Sequence, residues 1–164
     1  MSDRTSDRIV IRRESPGQPD VQALLAGLDR YLSALYPPEA NHLLDLQALS
    51  APGVSFFVGR EDGVALATAA VRLQAGEPET NFQAYGEIKR MFVDPVHRGR
   101  RLGERLLAAL ESTLRDQGRQ LALLETGPLQ VAAVRLYERC GYAPRAAFGG
   151  YPDNGLSVYY TKTL

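Results

Sequence analysis

Glycines and arginines are concentrated in one short segment, VDPVHRGRRLGE, which runs from Val93 to Glu104. Between Val96 and Arg101 the segment has three arginines and no acidic residue. It follows an alternating pattern typical of a strand and precedes a leucine repeat typical of a helix. The first amides of a helix lack an intrahelical partner, and the helix dipole adds partial positive charge there. The segment therefore predicts a pyrophosphate-binding site, with glycines that leave the backbone accessible.

The glycine spacing separates this segment from two common nucleotide-binding loops. A P-loop needs a lysine followed by serine or threonine after its second glycine, and the segment has neither. The dinucleotide-binding fingerprint begins with two glycines one residue apart, whereas Gly99 and Gly103 are four apart. The alternative interpretation is a helix start whose arginines lie on a solvated face. The segment alone leaves both interpretations open.

A second motif, LYERCGY at residues 136–142, follows a helical stretch further along the chain. Together the two segments resemble the GNAT superfamily of N-acetyltransferases. The phosphate loop of that family has Gln or Arg, two residues, Gly, one residue, then Gly or Ala. Its later helix carries Leu-Tyr, three residues, Gly, then Tyr or Phe. Arg98 and Gly103 fit the ends of the loop motif, whereas Arg101 stands where the family usually has glycine.

The resemblance implies that acetyl-CoA is the cosubstrate. The loop would bind its pyrophosphate, and the preceding strand, which diverges from the next strand in this fold, would hydrogen-bond the pantetheine arm. A backbone amide of that strand would stabilise the oxyanion. Gln130 stands where family members often carry an asparagine near the cosubstrate. The implied cofactor-binding residues are Phe92, Val93, Arg98, Gly99, Arg100, Arg101, Leu102, Gly103 and Gln130.

The resemblance also implies that Tyr137 is a catalytic residue, the donor to the leaving thiolate. A phenol of pKa about 10 is a weak acid toward a thiol of pKa about 8.5, so full proton transfer is uphill by roughly 2 kcal/mol. A hydrogen bond in the transition state is still favourable, and a dry site strengthens it. The alternative is that Tyr137 simply packs with Ala133 and Val134, which share its helical face.

Glu87 is the second catalytic candidate, as the acceptor of the ammonium proton. It lies two residues from Lys89, so both side chains share one face of a regular strand. A carboxylate on a central strand can take the proton directly or through water. Members of the family often place an acidic residue on this strand, but not uniformly. The alternative is a structural salt bridge with Lys89 or with a neighbouring strand.

The acceptor site is less well marked by the sequence. By resemblance, the first helix pair and the loop between the last two strands border the acceptor cleft, although ordinary turn chemistry explains their polar residues equally well. The candidate lining residues are Tyr36, Asn41, His42, Tyr151 and Asn154. We interpret His97 as a solvated turn residue and Cys140 as a small core side chain. With one cysteine and two histidines in the chain, no metal site is expected.

The elements that position these residues follow from hydrophobic periodicity. Their order is strand, two helices, three strands, helix, strand, helix and two strands, which predicts an α/β protein with a mixed sheet and helices on both faces. The GNAT fold implies that the sheet is mostly antiparallel. The predicted strands are 8–13, 54–59, 64–73, 85–93, 121–124, 143–148 and 156–163. The predicted helices run from a cap at Asp20 to before Pro37, over 39–49, from Gly99 to near Gly118, and over 130–139.

Length and composition set the remaining expectations. A chain of 164 residues suits one domain, predicted here as 8–164 after a disordered tip at 1–7. The net charge is zero, which argues against nucleic-acid or anionic-membrane binding. Without a signal sequence or membrane span, a cytoplasmic location is the default expectation. Many GNAT members pair through sheet edges, which leaves a homodimer open.

The leading hypothesis is direct acetyl transfer from acetyl-CoA to a primary amine of a small molecule, amino acid or peptide. A non-catalytic module that binds an acyl-CoA and reports it to a partner is the main alternative. Binding of nucleic acid through the arginines from Arg98 to Arg105 is a third, disfavoured by the net charge.

Overall fold

One seven-stranded sheet organises the computed structural model, which describes residues 8–41 and 44–164. The predicted N-terminal tip and His42 lie outside the described residues. The sheet order is β1-β2-β3-β4-β5-β7-β6, and every neighbouring pair is antiparallel except β4 and β5. The strands are β1 (Ile9–Arg13), β2 (Val54–Glu61), β3 (Val64–Gln74), β4 (Tyr85–Val93), β5 (Leu121–Thr126), β6 (Ala143–Arg145) and β7 (Val158–Thr163). This confirms the predicted mixed, mostly antiparallel sheet.

Helices cover both faces of the sheet, as predicted. Ala69 of β3 packs with leucines of the third helix, whereas its neighbour Ala70 packs with Val21 and Leu25 of the first helix. Because successive strand residues face opposite sides, these helices lie on opposite faces. The helices are α1 (Pro19–Leu35), α2 (Leu46–Leu49), α3 (Leu102–Asp116) and α4 (Val131–Arg139). A search of the described part of the chain finds no helix long and apolar enough to cross a membrane.

Two predicted helix features are wrong. Among the described residues of the helix predicted over 39–49, the α-helix is α2 alone, because the Asp45 carboxylate accepts a hydrogen bond from the Ala48 amide at 2.8 Å and starts the helix there. Asp20 is not the N-cap of α1, since the helix already begins at Pro19. The Asp20 carboxylate instead accepts a hydrogen bond from Arg60 at 2.6 Å. The strand predicted over 143–148 is also shorter, because only β6 pairs with β7.

A β-bulge in β4 marks the place where the sheet opens. Thr68 of β3 pairs with Phe92, but the next pair is Ala70 with Lys89, so two residues of β4 oppose one of β3. The bulged residue Arg90 has φ +56°, and its carbonyl accepts a hydrogen bond from the Thr68 hydroxyl at 3.0 Å. The change in strand direction comes without a glycine at this position.

Strands β4 and β5 diverge at the same level. Their parallel pairing ends at Ile88 and Leu124, although β4 continues to Val93 and β5 to Thr126. Helix α3 lies close against the base of β4, where a Cβ atom on Gly86 would come within 2.1 Å of Leu114. The sheet therefore opens into a cleft beyond the last β4–β5 pair, whereas α3 packs tightly against the paired end of β4.

Candidate active site

A groove of about 540 Å³ lies between the end of β4, the N-terminus of α3 and one face of α4. All of the predicted cofactor-binding residues line it except Arg100. The guanidinium of Arg100 donates instead to Glu61 on β2, at 2.6 and 2.9 Å. The motif residues are therefore brought together on one wall, and one of the three arginines is turned toward the neighbouring strand.

The backbone at the start of α3 has the form expected of an anion site. The amides of Gly99, Leu102 and Gly103 donate hydrogen bonds to no residue in the described ranges. Arg101, the N-cap of α3, has φ +60°, in the left-handed region that favours glycine. That conformation gives a physical reason for the glycine usual at this position in the GNAT loop motif, and an arginine here costs about 1 kcal/mol.

The two glycines of the loop have different roles. Gly99 has φ +80° and open space where a side chain would project. A Cβ atom on Gly103 would instead lie 2.6 Å from Leu136 Cδ2. The missing side chain at Gly103 lets α3 and α4 approach closely, and this contact brings the neighbouring Tyr137 under the sheet opening.

A second, smaller cavity of about 70 Å³, called here the inner cavity, lies at the opening between β4 and β5. It shares Leu28, Met91 and Gln130 with the groove, so the two spaces are adjacent. Its walls come from α1, β4, β5 and α4. Its polar wall residues are Tyr36, Asn41, Lys89, Arg90, Glu125, Thr126, Gln130 and Tyr137.

Tyr137 contributes its side chain to the inner cavity. The residue is 5% exposed, and its ring packs edge-on against Tyr142 with 6.0 Å between ring centroids. Its hydroxyl has no hydrogen-bond partner within residues 8–41 and 44–164. Burial, with a smaller contribution from the negative charge of Glu125, raises the pKa of this phenol. The phenol therefore stays protonated and can donate to a group in the cavity.

Glu87 lies behind the inner cavity rather than in its wall. It is 1% exposed, and its carboxylate accepts hydrogen bonds from Arg72 at 2.7 Å and from the Tyr151 hydroxyl. Lys89 Nζ lies 3.8 Å from the same carboxylate. Glu87 therefore forms the salt bridges that the alternative interpretation expects, one with Lys89 and one with Arg72 on the neighbouring strand β3. A role for Glu87 as proton acceptor stays a prediction, and any proton would reach it through its neighbours.

Two wall residues of the inner cavity were missed as functional candidates from the sequence. Lys89 was considered only as a partner of Glu87, yet its ammonium lies beside the cavity. It donates to the Tyr151 hydroxyl at 2.7 Å, and burial lowers its pKa. Glu125 follows the last residue of β5 that pairs with β4, and it accepts a hydrogen bond from Ser157 at 2.8 Å. A charged residue directly after the apolar run Leu121–Leu124 was the available signal, because ligands often bind beyond the carboxyl ends of parallel strands.

The candidate acceptor residues are divided by the structure. Tyr36 and Asn41 line the inner cavity, and the Tyr36 hydroxyl accepts a hydrogen bond from the Leu129 amide at 2.8 Å. Tyr151 does not line the inner cavity, and its hydroxyl accepts a hydrogen bond from the wall residue Lys89. The Asn154 side chain accepts a hydrogen bond from the Leu156 amide at 3.1 Å, which is ordinary turn chemistry.

The remaining nucleophilic and metal-ligating residues form no further site in the described ranges. His97 lines the groove with its Nδ1 3.4 Å from Arg100, and Cys140 caps the C-terminus of α4. Burial raises the pKa of the Cys140 thiol. No cluster of three or more His, Cys, Asp or Glu that could hold a metal occurs among the residues described.

Comparison with known proteins identifies the family. A sequence model of the acetyltransferase (GNAT) family matches residues 21–142. An IAA acetyltransferase from Azospirillum brasilense is 43% identical over 156 residues, which cover 95% of this chain and 98% of that protein. The chain therefore belongs to the GNAT family and is an acetyltransferase.

Solved structures agree with this assignment. A Klebsiella pneumoniae protein whose crystal structure carries the name acyl-CoA N-acyltransferase has 36% identity and a TM-score of 0.76, covering 95% of this chain and 97% of its own. A GNAT acetyltransferase from Elizabethkingia anophelis, solved with acetyl-CoA bound, has 15% identity and a TM-score of 0.63, covering 96% and 99% of the two chains. The second likeness concerns the fold alone.

Proposed function

We propose that the protein transfers an acetyl group from acetyl-CoA directly to a primary amine of a small molecule, amino acid or peptide. One observation carries this proposal: the groove and the inner cavity meet where β4 and β5 diverge, with Tyr137 in the cavity wall. An elongated thioester lying in the groove would present its reactive end at that junction, and an amine would approach through the inner cavity.

The residues of the groove fit acetyl-CoA. The unpartnered amides at the start of α3, with Arg98 and Arg101 beside them, suit the pyrophosphate. The edge of β4 beyond Ile88 is unpaired toward β5 and suits the pantetheine arm, which would add to it as a short extra strand. The fold shared with a protein that binds acetyl-CoA supports the same placement.

Acetyl-CoA supplies an activated acyl carbon: a nitrogen–carbon bond forms, the carbon–sulfur bond breaks, and the proton released from nitrogen leaves with sulfur as the thiol. Tyr137 would donate a hydrogen bond to the sulfur as it leaves, since its raised pKa keeps the phenol protonated. Burial raises the pKa of a leaving thiol as well, so the burial of Tyr137 does not by itself widen the difference in acidity between the two groups. A backbone amide near Phe92 or Val93 would stabilise the oxyanion by a few kcal/mol.

The amine must lose its ammonium proton before it can attack. Glu125 lies in the cavity wall and can accept this proton directly. Glu87 would act through Tyr151 and Lys89, which connect it to the same wall. The variants Glu125→Gln and Glu87→Gln distinguish the two: the proton acceptor is the one whose loss removes the acidic limb of the pH profile for kcat/KM.

The direct test measures release of free thiol from acetyl-CoA in the presence of a panel of amines, with product masses recorded. The expected result is a mass gain of one acetyl group on an amine, at a rate that depends on amine concentration. Tight binding of CoA with no turnover against any amine would contradict the proposal and favour an acyl-CoA sensor.

A further inference from the structure

The walls of the inner cavity carry one lysine and one glutamate, Lys89 on β4 and Glu125 on β5. The arginine in the wall, Arg90, is paired with Asp29 of α1, which lies outside the cavity. We infer that the acetyl acceptor is a free α-amino acid, with its ammonium against Glu125 and its carboxylate against Lys89. The inference rests on the proposed function, because it names the acceptor of the same site.

The position of the Lys89 side chain is fixed by residues outside the cavity wall. Its ammonium donates to the Tyr151 hydroxyl at 2.7 Å and lies 5.2 Å from the centre of that ring. Tyr151 is fixed in turn because its hydroxyl donates to Glu87. The Lys89 side chain is only 7% exposed, so little solvent screens its charge from the cavity. A carboxylate that enters the cavity therefore meets a positioned cation whose neighbouring carboxylate, Glu87 at 3.8 Å, is shared with Arg72.

Glu125 would place the amine of the acceptor near Tyr137. It begins the end of β5 that is no longer paired with β4, and a hydrogen bond from Ser157 holds its carboxylate. Glu125 and Tyr137 both line this small cavity, and the negative charge of Glu125 contributes to the raised pKa of Tyr137. An ammonium bound to Glu125 thus lies near the phenol that would meet the leaving sulfur. Its proton can pass to the Glu125 carboxylate, which leaves a neutral amine.

Size and charge exclude other classes of amine. The volume of about 70 Å³ corresponds to roughly five to seven water-sized spheres of about 10–15 Å³ each. That space matches the ammonium, α-carbon and carboxylate of an amino acid, with its side chain directed toward the opening. A polyamine would place a second ammonium against Lys89. A peptide N-terminus would leave that cation facing a neutral amide.

The experiment compares matched acceptors with the full chain at saturating acetyl-CoA. Free amino acids, their carboxamides and their decarboxylated amines are assayed by thiol release. We expect kcat/KM to be at least about tenfold higher for an amino acid than for its carboxamide, with most of the difference in KM. Lys89→Met should remove this preference and Lys89→Arg should restore much of it. The matched control is Lys162→Met, since Lys162 pairs with Glu111 away from both cavities.

The results distinguish failure of the amino-acid acceptor from failure of the proposed acetyltransferase function. Equal kcat/KM for amino acids and their carboxamides in the wild type would overturn the amino-acid acceptor and leave amine acetylation standing. An unchanged preference in a folded Lys89→Met variant would overturn the role of Lys89. No thiol release with any acceptor would reject the proposed function itself. If Lys89→Met fails to fold, the wild-type comparison alone still decides the acceptor class.

Discussion

The groove and the inner cavity are built from different kinds of structure. The groove is lined largely by the continuous segment 91–104 and one face of α4, and the groups proposed to bind an anion there are backbone amides and arginines near the surface. The inner cavity takes its walls from four separated elements, and its charged groups are buried or half-buried side chains held by other side chains.

The difference between the groove and the inner cavity predicts where substitutions should affect activity most. Each amide or arginine of the groove would contribute part of the binding of one long ligand, so losing one should weaken binding by a limited factor. The inner cavity would act on the reacting atoms, and a shift of about 1 Å there can lower a rate by about 100-fold. The four predictions below test this contrast.

The largest expected effect is at Tyr137. We expect Tyr137→Phe to lower kcat by roughly 100-fold or more, because the variant loses the donor to the leaving sulfur. The KM for acetyl-CoA should change little, since Tyr137 lines the inner cavity and not the groove. Steady-state thiol release at varied acetyl-CoA separates the two parameters.

Tyr142→Phe is the matched control for this prediction. The Tyr142 hydroxyl donates to Glu111 at 3.1 Å, and Tyr142 lines neither space, so kcat should stay within about twofold while stability falls by about 1 kcal/mol.

The pH dependence of kcat adds a second test of the role of Tyr137. Because the Tyr137 pKa is raised above 10, its protonated form persists as the pH rises to that value, and kcat should not fall between pH 9 and pH 10 through loss of this proton. Wild-type kcat in Tyr137→Phe would refute the donor role.

The second prediction concerns Gly127, in the turn after β5. A Cβ atom there would lie 1.9 Å from the buried Tyr36 hydroxyl, so Gly127→Ala must displace Tyr36 and its hydrogen bond to Leu129. We expect kcat/KM for the acceptor to fall on the order of 30-fold, with a smaller change in KM for acetyl-CoA.

A double-mutant cycle tests the cause of that loss. Tyr36→Leu removes the clash, so adding Gly127→Ala to Tyr36→Leu should have little further effect on kcat/KM. Additive losses would show that Gly127 acts through something other than the ring of Tyr36.

The same contrast explains how much could be predicted from the sequence. The bounds of β4 were predicted correctly, because its alternating pattern ends at Asp94-Pro95, and the groove residues follow from a continuous motif. Glu125 was missed as a candidate because its place in the cavity wall depends on where β4 separates from β5, and the bulge at Arg90 beside this point is marked by no local residue. The start of α2 was predicted too early, because the helical period of polar and apolar residues does not show that the Asp45 carboxylate caps the helix there.

The third prediction compares two neighbouring arginines of the loop. Arg98 lines the groove, whereas Arg100 is paired with Glu61. We expect Arg98→Ala to raise KM for acetyl-CoA about tenfold, or about 1.4 kcal/mol. Arg100→Ala should raise this KM at most about twofold, because Arg100 does not line the groove. Its partly exposed ion pair with Glu61 contributes little to stability, so its loss should not disturb the loop. Equal effects of the two variants would show that Arg100 leaves Glu61 to bind the ligand.

The smallest expected effect concerns the strained residue Arg101. Arg101→Gly should stabilise the protein by about 1 kcal/mol, because glycine adopts φ +60° without the steric penalty of a side chain, and Tm should rise by about 2–4 °C. Arg101→Ala loses the same charge but keeps the strain, so KM for acetyl-CoA should rise by a similar, modest factor in both variants. Thermal unfolding of the two, measured side by side, isolates the backbone contribution, and equal Tm values would show that the left-handed conformation at residue 101 carries no measurable strain.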